Sequence, residues 1–217
     1  MYVPPHFAET DGDRIARFVD AHPLATLAVV CDGKIEAHHL PFLREGPVTA
    51  GARLIAHAAR GNALWRLAER RVDALLVFSG AAAYVSPSYY AGKAEHGRVV
   101  PTFNYAAVHV HGELACSHAE GDKRRTVERL TAHLEGSRTQ PWAVADAPAD
   151  FVTAMLRGIV ALSFDVRAVE AKFKASQNKS LADRRGVVRG LREDASTNDL
   201  AEAATLVEAS LVDQPQR

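Results

Sequence analysis

The sequence predicts a mainly β fold (α+β) in which an antiparallel barrel carries peripheral helices. Strand-like segments follow one another with few helices between them, whereas a doubly wound parallel sheet needs a helix at each crossover. Asp32-Gly33 lies between two such segments and is a strong hairpin signal. With 217 residues, 47% of them hydrophobic, the chain has enough apolar surface for a large core.

The first elements are a helix and an antiparallel hairpin. Asp11 is placed to cap a helix that ends near His22-Pro23, because the residue before a proline disfavours helix. Residues 24–31 and 34–43 are rich in strand-favouring side chains and flank the Asp32-Gly33 turn. We therefore expect two paired strands directly after the first helix.

A strand, a tight corner and a long buried stretch come next. Residues 52–57 form a predicted strand that leads into Arg60-Gly61-Asn62, where Asn62 caps a predicted short helix. Residues 73–79 predict a buried strand. Residues 81–86 either pair with that strand or continue it across the glycine between them.

The second half contains two further strands separated by helices. From Ala106 onward apolar and polar side chains alternate, which predicts a strand with one wet face. Helical spacing begins near Asp122 and returns after Pro148. The second of these helices has an apolar face that comprises Phe151, Met155 and Leu156. Alternation over residues 159–169 then predicts a late strand that closes the sheet.

A change of composition after Val169 indicates the domain organisation. Lys172 to Arg192 contains seven basic residues against the single acid Asp183, and the chain after residue 193 is acidic and alanine-rich with helical spacing. We expect residues 1–192 to form the barrel domain with its peripheral helices, and residues 193–217 to form an appended C-terminal helix and tail.

Composition limits the partners and the compartment. Lys plus Arg equals Asp plus Glu at 26 each, so no overall field draws the chain to nucleic acid or to an anionic membrane. The sequence contains neither a signal peptide nor an apolar run of membrane-spanning length. The two cysteines, Cys31 and Cys116, fit neither a disulfide framework nor a zinc motif. We expect an unprocessed cytoplasmic protein.

Two proline- and aromatic-rich segments carry the strongest functional signal. They are Tyr84 to Tyr90 (YVSPSYY) and Val100 to Tyr105 (VPTFNY). Proline removes backbone from a regular ladder, and aromatic rings bury a large area at a low cost in side-chain entropy. The sequence therefore predicts two aromatic loops that hold a flat ligand or face a partner subunit.

Two other segments are candidates for anion binding. His57, Arg60 and the exposed backbone of Gly61 precede a predicted helix N-terminus, whose free N–H groups and dipole favour phosphate. A capped helix with a surface arginine and a packed histidine is the alternative reading of this corner. Lys172 to Lys179 (KFKASQNK) is dense in hydrogen-bond donors and forms either part of an anion pocket or a solvated surface.

The sequence contains no motif that indicates a metal site or a catalytic nucleophile. His109 and His111 project from the same face of one predicted strand, but a metal site needs three or four converging ligands. Glu113 stands too close for a cupin-like motif, and we find no other paired spacing among the histidines, which include His38 and His39, so we predict no metal. The chain also lacks a nucleophile elbow, a phosphate-binding glycine loop and a dinucleotide fingerprint. We accordingly assign no catalytic residue.

Taken together, these segments resemble the PaiB family of FMN-binding negative transcriptional regulators. The match runs in order from Met1 to about Leu191, and its most specific parts are the YVSPSYY and VPTFNY blocks. The remaining matching segments are Met1 to Phe7, His38 to Pro41, His57 to Trp65 and Lys172 to Asn178. The resemblance implies a flavin split barrel, a homodimer with FMN bound between the subunits, and a role in gene repression.

The resemblance also implies which residues bind the cofactor. It places His57, Arg60 and Asn62 near the FMN phosphate and ribityl chain, and the backbone of His38, His39, Leu40 and Pro41 along the isoalloxazine. It implies aromatic cover from Tyr84, Phe103 and Tyr105, and the same blocks supply Ser86 and Asn104. Lys172, Lys174 and Gln177 match a late KxKxSQN motif that we expect near the same cleft or at the dimer seam.

Three functions remain open at this point. The first is a regulator whose flavin senses redox state or small molecules. The second is a flavin-dependent oxidoreductase, either a reductase that uses NAD(P)H or an oxidase, since the cofactor itself supplies such reactivity. The third is a dimeric module without cofactor, because Ala81-Ala82 replaces the Pro-His usual in the family and Ala63 replaces a proline. Any direct DNA contact would use the basic stretch from Lys172 to Arg192.

Overall fold

The structure, a computed structural model, describes residues 1–212. Within them the chain forms eight strands, several of them long. The strands are β1 (Ala8–Glu9), β2 (Leu24–Cys31), β3 (Lys34–Pro41), β4 (Leu43–Arg44), β5 (Arg53–Ala59), β6 (Val72–Val85), β7 (Thr102–Ser117) and β8 (Ile159–Lys174). The α-helices in the same residues are α1 (Gly12–Ala21), α2 (Leu64–Ala68), α3 (Gly92–His96), α4 (Glu120–Glu135), α5 (Ala149–Arg157), α6 (Leu181–Glu193) and α7 (Asn198–Val212).

The strands join in one mainly antiparallel sheet, which confirms the predicted fold class. Their order across the sheet is β3-β2-β6-β7-β8-β5-β4, and β1 pairs with β8 beside this path. The pairs β1–β8, β2–β3, β2–β6, β4–β5 and β5–β8 are all antiparallel. The continuous strand β6 also decides between the two readings of residues 73–86, since it runs through the intervening glycine.

The first helix and the hairpin form for the reasons that the sequence gives. The Asp11 carboxylate accepts hydrogen bonds from the backbone N–H groups of Asp13 and Arg14 at 2.8 and 3.1 Å, which caps α1. Asp32 and Gly33 both adopt positive φ, at 49° and 76°, as a two-residue type I′ turn requires. The turn aligns Cys31 with Lys34 and so fixes the register of β2 and β3.

The chain divides into two compact units. Unit 1 comprises residues 1–10, residues 79–107 and the described chain from Glu170 onward, and unit 2 comprises residues 11–78 and 108–169. Unit 1 contains a buried cluster in which β6, α6 and α7 take part through Val85, Leu191 and Val207. Unit 2 contains smaller clusters, among them Leu43, Ile55 and Leu130, and Val144, Val152 and Leu156.

The structure corrects three predictions about local structure. The segment near residue 103 is not a loop, because Thr102 to Tyr105 begin β7. On α5, Val152 and Leu156 form the buried face, whereas Phe151 and Met155 are about half exposed, at 54% and 55%. Third, Lys172 to Lys179 is not the solvated surface of one of its two readings, because Lys172, Phe173, Ala175 and Ser176 are buried.

The basic stretch contains buried groups that its composition does not reveal. Lys172 on β8 is buried, and so are Asp183, Arg184 and Val187 on α6. A helix, α7, is present in the segment where the sequence predicts one, and it packs against α6 within unit 1. The predicted tail over residues 213–217 lies outside the described residues. The boundary at residue 193 stays a prediction.

Candidate functional site

In unit 2, a tight turn after β5 brings three of the expected phosphate and ribityl residues together. His57 lies on β5, and Arg60 and Asn62 lie in the turn between β5 and α2. The Asn62 N–H donates to Ala59 O at 2.9 Å, and the Asn62 side-chain oxygen accepts from the Leu64 N–H at 3.0 Å. We call this turn, from His57 to Asn62, the β5–α2 corner.

His57 offers an unused polar atom in the β5–α2 corner. Its Nδ1 atom is buried and has no hydrogen-bond partner in the structure. Burial lowers the pKa of His57 below its ordinary value of 6.5, because removing the ring from water disfavours the charged form. The ring is therefore neutral at pH 7, and its Nδ1 atom is free to form a hydrogen bond with a ligand.

Arg60 has an exposed side chain that is nevertheless held in place. Its backbone N–H donates to Gly158 O at 2.8 Å, and its Nε donates to Arg157 O at 3.1 Å. Its Nη2 lies 3.4 Å from Nδ1 of His118. The guanidinium group keeps further N–H donors, so it combines a fixed position with capacity for an anion.

The predicted contribution of a helix N-terminus to phosphate binding at this corner is corrected. Helix α2 is only five residues long, Leu64–Ala68, so its dipole is short. One of its first N–H groups, that of Leu64, is already bonded to Asn62. The corner thus has a capped turn, as in the alternative reading, and the side chains of His57 and Arg60 are its main candidates for phosphate binding.

Strand β3 places His38 to Pro41 at the end of the sheet order. It pairs with β2, and among the described residues it has no second neighbour in the sheet. An end strand leaves alternate backbone N–H and C=O groups open to a ligand. The Asn62 amide lies 3.4 Å from His38 Nδ1, so the structure links β3 to the β5–α2 corner. On the opposite face, His39 Nδ1 lies 3.1 Å from the Thr26 hydroxyl.

In unit 1 the two aromatic segments meet. Tyr84 on β6 and Phe103 on β7 form an edge-to-face pair with ring centroids 5.8 Å apart. The two side chains remain about half exposed, at 50% and 55%. Tyr105 lies under the ammonium group of Lys172, which is 5.2 Å from its ring centroid. Unit 1 therefore presents exposed aromatic surface of the kind that the sequence predicts.

Three other expected residues of unit 1 use their polar groups internally. Ser86 caps the short turn after β6 by accepting from the Ser88 N–H at 3.2 Å. Asn104 is fully buried, and its amide donates to the Ser176 hydroxyl at 2.9 Å. The Gln177 side chain accepts from the Ala175 N–H at 2.7 Å and donates to Phe173 O at 2.5 Å. These groups shape the ends of β6, β7 and β8.

The two lysines of the late motif lie beside the N-terminal segment of unit 1. Lys172 donates to Tyr2 O at 3.2 Å. Lys174 donates to the Thr102 hydroxyl at 2.5 Å, and its ammonium group lies 5.9 Å from the ring centroid of Phe7. Partial burial lowers the pKa of Lys174 from its ordinary value, because desolvation disfavours the ammonium form.

The expected site residues therefore form two groups. Unit 2 contains His38 to Pro41, His57, Arg60 and Asn62, and unit 1 contains Tyr84, Ser86, Phe103 to Tyr105, Lys172, Lys174 and Gln177.

The sequence does not reveal the partners of these residues that lie far away in the chain. His118 meets Arg60 across 58 residues, and Thr102 meets Lys174 across 72. No local pattern connects such pairs.

Residues 1–212 contain neither a metal-binding cluster nor a helix that could span a membrane. No group of three or more His, Cys, Asp or Glu side chains there is arranged to hold a metal ion. None of the helices in the same residues is long and apolar enough to cross a bilayer. Cys31 and Cys116 are free thiols.

Comparison with known proteins gives a consistent result. A family model described as "Putative FMN-binding domain" matches residues 1–168. The protease synthase and sporulation protein PAI 2 of Bacillus subtilis is 31% identical over 217 residues, which cover 99% of this chain and 100% of that protein.

The fold is also found in solved flavoprotein structures. An FAD- and heme-binding protein of Mycobacterium smegmatis superposes with a TM-score of 0.57 at 22% identity, covering 77% of this chain and 73% of that one. The flavocytochrome Anf3 of Azotobacter vinelandii superposes with a TM-score of 0.56 at 18% identity, covering 80% of this chain and 72% of that one. At these identities the likeness establishes a shared fold.

Proposed function

The chain belongs to the PaiB family of FMN-binding proteins, and on this premise we propose that it is a dimeric regulator whose bound FMN senses redox state or small molecules. The family model and the Bacillus relative confirm the resemblance predicted from the motifs. Membership of this family identifies FMN as the cofactor. The dimer, the individual binding residues and the regulatory output are our proposals.

One observation carries the binding proposal: His57, whose buried Nδ1 atom has no partner, and Arg60, whose guanidinium group is held by Arg157 O, belong to the same β5–α2 corner. A phosphate monoester needs positive charge and convergent hydrogen-bond donors. Arg60 supplies the charge, and the neutral His57 ring supplies a donor in the tautomer that protonates Nδ1. We assign the Asn62 side-chain amide to a ribityl hydroxyl as part of the same proposal. The residues of the β5–α2 corner thus fit the phosphorylated end of FMN.

The flat end of FMN needs apolar cover and backbone hydrogen bonds. We assign the backbone contacts to His38, His39, Leu40 and Pro41, because β3 ends the sheet order. Tyr84 and Phe103 are candidates for ring cover in the assembled dimer, since each exposes about half of its side chain. When bound, FMN supplies a ring that accepts one or two electrons.

The remaining expected residues are assigned to the dimer seam or the cofactor as part of the same proposal. They are Ser86, Asn104, Tyr105, Lys172, Lys174 and Gln177. Two copies of the chain with FMN between them would cover the exposed Tyr84 and Phe103 rings. We further propose a cytoplasmic location, which free thiols at Cys31 and Cys116 support.

Purified protein incubated with FMN and then passed through a gel-filtration column tests the cofactor proposal. We expect visible flavin absorbance to stay with the protein, and riboflavin, which lacks the phosphate, to bind at least about tenfold more weakly. The variant Arg60→Ala should lose most of this preference while keeping its riboflavin affinity. Equal affinity for the two flavins would contradict the assignment of the β5–α2 corner to phosphate.

For the regulatory output, helix α6 offers the surface that best fits DNA phosphates. Arg185, Arg189 and Arg192 follow at spacings of four and three residues, so they share one helix face, and all three are exposed. Arg192 is paired with Glu208 at 2.5 Å, which leaves Arg185 and Arg189 as the main cations. A dimer doubles this set and compensates for the zero net charge of the chain.

Binding to duplex DNA at several salt concentrations tests this surface. Because each neutralised phosphate contributes roughly 0.9 to the slope of log affinity against log salt, we expect a slope of about −2 to −4. The double variant Arg185→Gln/Arg189→Gln should remove most of that slope and leave FMN binding unchanged. If DNA binding shows no dependence on salt, or the variant binds as well as the parent, α6 is not the contact surface.

A further inference from the structure

His118 and its surroundings form a polar cluster that the cofactor assignment does not use. His118 follows β7, and its Nε2 lies 2.9 Å from a carboxylate oxygen of Glu69, directly after α2. Its Nδ1 lies 3.4 Å from Nη2 of Arg60. The Trp65 ring packs edge-on against the His118 ring at 5.3 Å between centroids, and the Trp65 indole N–H donates to Arg60 O at 2.9 Å.

These contacts define how the His118 ring is used. Glu69 is an acceptor, so it selects the tautomer in which Nε2 carries the proton. Nδ1 then has a free lone pair, and that lone pair faces a guanidinium N–H of Arg60. A chain of hydrogen bonds therefore runs from Glu69 through His118 to Arg60, in the way that an outer carboxylate orients a ligand-binding histidine.

We propose that His118 and Glu69 are positioning residues that aim the Arg60 guanidinium at the phosphate of the flavin and so set the preference for FMN over riboflavin. The inference rests on the proposed function of the β5–α2 corner. Arg60 needs such support because its side chain is exposed, and an exposed arginine otherwise loses much side-chain entropy when it binds an anion. Arg157 O fixes the Nε side of the group, and His118 fixes the Nη2 side.

Two substitutions at His118 separate this role from simple packing. His118→Asn keeps an acceptor near the position of Nδ1 and loses the contact with Glu69, whereas His118→Gln keeps a polar group near Nε2 and loses the acceptor for Arg60. We expect His118→Ala and His118→Gln to raise the Kd for FMN by about 3- to 10-fold, with a smaller rise for His118→Asn. The Kd for riboflavin should stay the same in all three.

A double-mutant cycle with Arg60→Ala completes the experiment. In the Arg60→Ala background, His118→Ala should have no further effect on the Kd for FMN, because the group that it positions is gone. Glu69→Gln should act like a weaker His118→Ala. Glu128→Gln serves as the matched control, since Glu128 forms an exposed ion pair with Arg124 on α4, away from these contacts.

The outcomes distinguish the inference from the function on which it rests. If the parent protein binds neither FMN nor riboflavin, the proposed function itself fails. If the parent prefers FMN and the preference depends on Arg60, but the three His118 variants keep the parental Kd, the positioning role is wrong. Equal losses for FMN and riboflavin in the His118 variants would show a packing role and would also overturn it.

Discussion

At the scale of single residues, the β5–α2 corner shows how position in the fold converts ordinary side chains into a candidate site. The sequence predicts His57 as a phosphate-binding candidate or as a packed histidine, and the structure buries its Nδ1 atom without a partner. Arg60 is exposed and yet held by a helix carbonyl and by His118. Each feature depends on residues that are distant in the chain.

The burial of His57 has a consequence for stability. Its pKa in the folded chain lies below the ordinary value of 6.5, which applies to the unfolded chain. At a pH between the folded and the unfolded pKa, the unfolded chain therefore binds more protons than the folded chain. Stability is therefore complete above about pH 6.5 and falls as the pH decreases through the folded pKa. In His57→Gln, the decrease in free energy of unfolding between pH 7.5 and pH 5 should be smaller than in the parent.

Chemical denaturation at a series of pH values measures this difference. The substitution also changes packing, so the absolute free energy of unfolding at pH 7.5 is not the readout. The free energy of unfolding of the parent is expected to fall more steeply toward acid than that of the variant. Curves that run parallel from pH 7.5 to pH 5 would show that His57 does not contribute to the acid sensitivity.

At the scale of elements, α6 depends on an unusually close approach to the turn that contains Tyr89. A Cβ atom at Gly186 would lie 2.1 Å from Tyr89 O, and one at Gly190 would lie 2.2 Å from the Tyr89 ring. The Tyr89 hydroxyl donates to Asp194, just past the end of α6, and this bond raises the pKa of Tyr89 to about 12. The two glycines thus let α6 pack directly on the first aromatic segment.

Two glycine-to-alanine variants should have opposite effects on stability. Alanine favours helix over glycine by up to about 1 kcal/mol. In Gly186→Ala the clash with backbone outweighs this gain, and we expect a net loss of about 1–3 kcal/mol. Gly121→Ala, on α4, is the matched control, because nothing lies within 4 Å of its added Cβ, and it should be neutral or stabilising.

Thermal or urea unfolding of the two variants provides the measurement. A Gly186→Ala protein as stable as the parent would mean that α6 packs less tightly on Tyr89 than the structure shows. Since Gly186 and Gly190 are remote from the β5–α2 corner in sequence, their effect on FMN affinity is a separate readout and does not enter this comparison.

The elements that the sequence predicts well are those with local causes. The Asp11 cap, the Asp32-Gly33 turn and the alternating strand of Val108 and Val110 are each specified within a few residues. Helix α6 was missed because its glycines are typical of helix breaks and its buried Asp183 and Arg184 are typical of surface. Asp183 accepts from the Gly92 N–H at 2.9 Å, a partner 91 residues away.

At the scale of the whole molecule, the fold and the family followed from the sequence, and the arrangement of the site did not. The motifs predicted the split-barrel class and FMN, which the family model and the relatives confirm. The same motifs predicted one set of binding residues, but the structure assigns them to two compact units. Their convergence on one cofactor, and the homodimer itself, stay predictions because they depend on contacts beyond one chain.

The proposed dimer binds one FMN per chain and holds it through the phosphate group. Gel filtration in buffer containing FMN, with light scattering and absorbance read on the same peak, measures the mass and the flavin content of the protein together. We predict a mass of two chains and about one FMN per chain, with less flavin retained when riboflavin replaces FMN. A peak that carries no flavin at saturating FMN, or a flavin-bearing peak with the mass of one chain, would contradict the account.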